Sequence, residues 1–170
     1  MTRHIQTFLQ QVKNHIGLPT RVLEVGSLNV NGTARTVFQT PQTDYFGIDL
    51  QAGKDVDAVL DAHDLMTKFS LEQFDLVICC EMLEHDLMPW VTVQHMRTVL
   101  KHSGWLVITT PASRVIKHNY PADYYRYFGE TYRQLFFAGM GDIFVEEFCL
   151  PDNPEKTLRP DEIHGYARKL

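Results

Sequence analysis

Apolar residues at Ile5, Phe8, Leu9, Val12 and Ile16 recur at i, i+3, i+4, i+7 and i+11, which predicts one buried stripe of an amphipathic helix ending near Gly17 and Pro19. That helix is expected to cover one side of a sheet. Beyond it the pattern changes to short apolar runs separated by polar turns. Strands are predicted at 21–25, 44–48, 58–60, 74–80, 104–109, 143–149 and 162–167. Helical spacing is expected at 33–39, 89–100 and 130–138. Pro89 suits a first helical turn, and Trp90, Val93, Met96 and Leu100 are expected to form that helix's buried face. In the last helix Leu135 and Phe136 are expected inward, with Gly139 and Gly141 as the stop. Strands alternating with helices and closed by a terminal strand pair predict an α/β fold, doubly wound, with a mostly parallel sheet and an antiparallel C-terminal edge.

Length limits this to a single domain spanning residues 1–170: 170 residues with 44% hydrophobic content bury one core and are too few for two of ordinary size. No window carries the apolar run needed to span a bilayer, and the polar start 1–11 lacks a signal-peptide core, so a cytoplasmic protein is expected. Cys79, Cys80 and Cys149 cannot build a disulfide framework and show no C-x-x-C spacing. Adjacent Cys79 and Cys80 in an apolar strand point to opposite faces, which predicts inert, reduced thiols. A net charge of -5 opposes attraction to phosphate backbones and gives nucleic acid no support as a partner.

The richest local signal is VLEVGSLNVNG at 22–32, an apolar strand running into a small-residue turn and a helix start. A second strand then ends in Asp49, where one carboxylate is able to accept hydrogen bonds from two ribose hydroxyls. The three-glycine G-x-G-x-x-G pattern is absent, and an acidic residue, Glu24, stands two residues before Gly26 inside the first strand; both features count against a dinucleotide-binding oxidoreductase. Loop, acid and order of elements resemble a class I S-adenosylmethionine-dependent methyltransferase over about residues 21–170. The segment CCEMLEH at 79–85 is similar to the corresponding stretch of ubiquinone-biosynthesis O-methyltransferases. The resemblance implies a Rossmann-like seven-stranded sheet and S-adenosylmethionine as cofactor. It further implies that Glu24, Gly26 and Ser27 lie near the methionine end of the cofactor, that Asp49 takes the ribose, and that Leu50 packs by the adenine. Asp61 would accept from the adenine amine and the Ala62 N–H would donate to the ring, while backbone groups near Cys80 and Glu81 would meet the methionine moiety. The loop departs from the family's glycine pattern, and Asn29 and Asn31 are expected to supply positive φ in place of glycine. Asp61 also reads as a plain N-cap, with Asp64 as a first-turn acid.

Glu81, Glu84 and His85 fall at i, i+3 and i+4, so in a helical turn they would share one face able to hold a divalent metal, with His118 or Asp123 as a further ligand. A structural or substrate-facing role for Glu84 and His85 is favoured, and no metal ligand is assigned. Methyl transfer needs acceptor and methyl in line and, for weak acceptors, a base; His85 and His118 are the histidines considered for that role, against ordinary surface positions for each. The segment 111–128 follows the fifth strand on the ligand side. Tyr120, Tyr124, Tyr125 and Tyr127 with Arg114, Lys117 and Arg126 would either wall an anionic or planar acceptor or pack the loop down on itself.

The sequence therefore predicts methyl transfer to an oxygen or nitrogen of a small-molecule acceptor, with the acceptor pocket either open or completed by a second copy in a homodimer. The contrasting expectation is a catalytically silent domain of the same fold that serves as a binding partner in a complex.

Overall fold

The computed structural model describes residues 1–118, 122–154 and 159–170. Helix α1 (Arg3–Ile16) starts where the Thr2 hydroxyl accepts from the Ile5 N–H and ends at Gly17, whose φ of 80° lets its N–H reach the Lys13 carbonyl. Seven strands follow: β1 (Arg21–Val25), β2 (Asp44–Asp49), β3 (Ala58–Val59), β4 (Phe74–Cys80), β5 (Leu100–Pro111), β6 (Gly141–Phe148) and β7 (Glu162–Arg168). They form one sheet in the order β3-β2-β1-β4-β5-β7-β6. The pairs from β3 to β5 are parallel, and β7 runs antiparallel to both β5 and β6. This is the Rossmann-like sheet expected, and the order reverses between β1 and β4.

Alternation along the strands sorts the core into two layers. Val22, Leu76, Ile78 and Val107 face α1, where Ile5, Phe8, Leu9 and Val12 are buried. Leu23, Val25, Val77, Cys79, Leu106 and Ile108 face the other way, onto α3 (Pro89–Val99) and the aromatic residues that follow β5. Cys79 and Cys80 accordingly pack into opposite layers.

Several expectations are corrected. The first crossover helix is only α2 (Arg35–Phe38), because Thr33 and Ala34 are tied to Glu24 instead of joining it. Trp90 is 60% exposed: Pro89 and Thr92 hold the first turn of α3 inward, the Thr92 hydroxyl donating to Asp86, and this turns Trp90 out. Leu100 is buried but opens β5. The last helix begins as a short α turn (Gly129–Thr131) and widens to a π turn at Tyr132–Phe136, closed by the Phe137 N–H on the Tyr132 carbonyl. The extra residue in that turn brings Tyr132, Phe136 and Phe137 inward and leaves Leu135 66% exposed. Among the described residues no helix is long and apolar enough to cross a membrane.

Candidate active site

A cavity of about 540 Å³ opens at the C-terminal ends of β1, β2 and β4, on the side where the strand order reverses. Its floor is the turn after β1. Gly26 has a φ of 82°, and a Cβ there would lie 2.8 Å from the Met82 side chain, so both the backbone and the space require glycine. The N–H groups of Gly26 and Ser27 donate to the Ile48 carbonyl, which draws the turn over the end of β2. Asn29 and Asn31 are absent from the positive-φ positions, contrary to expectation; Gly26 and Gly32 supply the two left-handed positions of the loop. Asn29 works through its side chain, accepting from the Gly32 N–H and donating to Asp55.

Eight of the nine predicted cofactor residues line the cavity. Asp49 stands at the end of β2 and accepts from the Leu28 N–H through one oxygen and from the Gln51 N–H through the other, both at 3.1 Å. Each oxygen keeps a lone pair for a ligand hydroxyl. Leu50 is exposed beside it. Asp61 caps the 3₁₀ turn Ala62–Asp64 by accepting from the His63 N–H, so the N-cap reading describes its bond while its side chain and Ala62 still line the cavity. Ser27 is the exception: its buried hydroxyl packs under Gly47 and has no hydrogen-bond partner.

Glu24 is buried and fully engaged. It accepts from the Thr33 hydroxyl, the Ala34 N–H and, at 2.8 Å, the Tyr45 hydroxyl. Burial pushes its carboxyl above the usual range, against these hydrogen bonds, which favour the charged form. Cys80 and Glu81 close the cavity from β4. Burial, followed by the neighbouring Glu24 charge, pushes the Cys80 thiol up, as suits an inert cysteine. Glu81 adopts φ 51° and accepts from the Thr109 hydroxyl at 3.1 Å; burial and then the Glu162 charge push its carboxyl up to about 8.

That left-handed turn separates Glu81 from its expected partners. The stretch Leu83–His85 is a single 3₁₀ turn, and the three-residue group it helps to build is Glu84, His85 and His118. The His85 and His118 Nε2 atoms lie 3.4 and 3.8 Å from Glu84 Oε1. Burial holds the His85 imidazole below its ordinary value, while the bond from Nδ1 to the Ala122 carbonyl opposes that shift.

The methyltransferase domain family matches residues 1–146. The chain belongs to that family. A ubiquinone biosynthesis O-methyltransferase of Paraburkholderia xenovorans (strain LB400) is 26% identical over 122 residues, 70% of this chain and 45% of its own length, so the chain spans less than half of that relative. A SAM-dependent methyltransferase structure from Archaeoglobus fulgidus superposes with a TM-score of 0.73 at 16% identity, covering 96% of this chain and 94% of the other. The N-methyltransferase NodS of Bradyrhizobium japonicum WM9, in complex with S-adenosyl-l-homocysteine, gives 0.69 at 16% identity over 98% and 86%. Sequence family and sheet topology together identify a class I, S-adenosylmethionine-dependent methyltransferase domain.

In this domain the aromatic segment after β5 is largely packed down. The Tyr125 and Tyr127 hydroxyls donate to the Leu87 and Leu83 carbonyls, Arg114 pairs with Asp161, and Arg126 is held by Asp123 and three backbone carbonyls. Tyr124 alone among the described tyrosines lines the cavity. Tyr120 lies outside the described residues. Sequence reasoning missed His63, whose Nε2 meets Asp86 Oδ1 at 2.8 Å on the cavity wall, and Met82, which fills the space over Gly26. His63 and Asp86 are separated by 23 positions and carry no local pattern that joins them.

Proposed function

We propose that this domain transfers a methyl group from S-adenosylmethionine to an oxygen or nitrogen of a small-molecule acceptor. The observation that carries the reading is Asp49: a strand-end carboxylate on the wall of the cavity, oriented by two backbone N–H groups, with lone pairs left for a pair of ribose hydroxyls. The residues present fit the cofactor. A Gly26 turn without a Cβ gives close backbone approach, Leu50 and Ala62 offer apolar contact for an adenine, and Asp61 stands beside them for its amine. Glu24 holds the loop through Thr33 and Ala34, and Cys80 and Glu81 present the backbone that would meet the methionine end.

When bound, S-adenosylmethionine supplies a methyl carbon activated by its sulfonium, so the chain's own work is alignment of the acceptor and, for a weak nucleophile, removal of a proton. Tyr124, Leu87 and His85 form the end of the wall that follows β4 and receives the segment after β5, where a small acceptor would enter. The name of the curated relative supports an oxygen acceptor and that of the Bradyrhizobium neighbour a nitrogen acceptor. Calorimetric titration with S-adenosylmethionine and S-adenosylhomocysteine is expected to give one site per chain for both. Absence of binding by either compound would overturn the reading, and binding of both without turnover across hydroxyl and amine acceptors would favour a silent scaffold.

A further inference from the structure

His63 and Asp86 stand 23 positions apart in the chain and meet on the cavity wall. Asp86 is buried and accepts on both oxygens, from the Met88 N–H at 2.8 Å on Oδ1 and from the Thr92 hydroxyl on Oδ2. It takes a third donor on Oδ1, the His63 Nε2–H at 2.8 Å, which fixes the plane of the imidazole and places a proton on Nε2. Burial of a carboxylate is tolerated where such donors are complete. Loss of the imidazole would leave Asp86 short of one.

The contact joins two walls of the cavity. His63 belongs to the stretch 60–63 that follows β3, while Asp86 and Leu87 belong to the segment that follows β4. A second tie runs beside it, where His95 Nδ1 on α3 lies 3.4 Å from the Ala62 carbonyl. The turn held in this way carries the polar edge of the cavity. The His63 main-chain N–H donates to Asp61 Oδ1 at 2.9 Å, and His63 Nδ1 lies 3.6 Å from the same oxygen, which leaves Oδ2 for a ligand. The Asp61 side chain is 47% exposed, so its direction depends on the turn beneath it. Fixing that direction in advance removes an ordering cost from binding.

The edge has a direction. Asp61 offers an acceptor and the Ala62 N–H a donor, the complement of an adenine, whose exocyclic amine donates and whose neighbouring ring nitrogen accepts. Hypoxanthine reverses both groups, setting a carbonyl against the carboxylate and an N–H against an N–H. Such mismatches are how a polar site rejects an analogue, provided that its own groups cannot swing aside. We propose that His63, tied to Asp86, is a positioning residue that holds this edge in register and makes the cavity selective for adenosyl over inosyl compounds, a role that rests on the S-adenosylmethionine reading of the cavity. Without the imidazole the turn after β3 loses its bond to the segment after β4, and Asp61 and Ala62 are free to shift away from a mismatched base.

Calorimetry of the wild type, His63→Ala and His63→Gln with S-adenosylhomocysteine and S-inosylhomocysteine tests the role. The wild type is expected to prefer the adenosyl compound by more than about 10-fold, the scale of one hydrogen bond to a charged group. His63→Ala should weaken adenosyl binding by about 10-fold and inosyl binding by less than about 2-fold, so that the preference is largely lost. In His63→Gln the amide N–H replaces Nε2–H as the donor to Asp86, and most of the preference should return. The His63 side chain is partly exposed, and retained inosyl binding reports a folded cavity in each variant. Equal losses for both compounds in His63→Ala would reduce the tie to a structural one, and a His63→Gln protein as poor as His63→Ala would take Asp86 out of the arrangement; either overturns the proposal. A wild type that binds neither compound overturns the cofactor reading together with it, whereas a wild type that binds the adenosyl compound with a preference untouched in His63→Ala overturns the role of His63 alone.

Discussion

Glu24 and Glu84 are both buried carboxylates of the same site, and their surroundings are opposite. Glu24 accepts three hydrogen bonds, from Thr33, Ala34 and Tyr45, and these bonds join β1 to the start of α2 and to β2. Glu84 accepts none through its side chain and faces two imidazoles at 3.4 and 3.8 Å. A carboxylate that satisfies its neighbours is part of the scaffold, and its loss orphans the donors around it. One left unsatisfied by its own chain has a reason to meet something from outside. Glu24 thus ties β1, β2 and α2 together through completed bonds, whereas the Glu84 carboxylate ties nothing.

The largest effect expected from this contrast is on folding. Glu24→Ala would strand two hydroxyls and a backbone N–H in the interior, a loss of about 3 to 5 kcal/mol when each orphaned group costs roughly 1 to 3 kcal/mol. Urea unfolding would measure it, and a loss below about 1 kcal/mol would abolish the distinction drawn between the two glutamates.

Next in size is a binding effect in the same half. Asp49→Ala should leave the fold intact and weaken S-adenosylhomocysteine binding by about 1.5 to 3 kcal/mol, the scale of hydrogen bonds to a charged group. Unchanged affinity by calorimetry would remove the ribose role from Asp49.

How far this contrast was legible in the sequence follows from where its bonds run. The strands from Arg21 to Cys80 were readable because apolar alternation is local, and Gly26 and Asp49 because a turn and a strand end announce themselves within a few residues. Glu24 was picked out from the resemblance, but its attachment to Tyr45 is a register effect between β1 and β2 that no local pattern contains. Spacing grouped Glu81 with Glu84 and His85 on the assumption of a helical turn; the left-handed φ of Glu81 breaks that turn. His118 then joins Glu84 through a loop contact across 34 positions, where its helical spacing is irrelevant. Leu135 was misplaced for a similar reason, since a π turn shifts the buried face by one residue without changing composition.

A third carboxylate extends the contrast to pH. Asp161 is buried, and although burial acts to raise it, hydrogen bonds from the Leu150 N–H, Arg114 and Asn153 hold its carboxyl below the ordinary value. A folded value below the unfolded one contributes stability above the unfolded pKa, and that contribution is lost as pH falls through the folded value. As pH falls through and below the usual aspartate range, the wild type should lose more stability than Asp161→Asn. Parallel loss in the two proteins would show that Asp161 is no better satisfied in the fold than in the unfolded chain.

The smallest effect is the most discriminating. Glu84→Gln should change the unfolding free energy by no more than about 1 kcal/mol, because no donor depends on its carboxylate. A loss above about 2 kcal/mol would mean that the fold itself uses Glu84, as it uses Glu24. A near-silent substitution at Glu84 beside a destabilising one at Glu24 is the behaviour expected when one buried carboxylate holds its neighbours by hydrogen bonds and the other holds none.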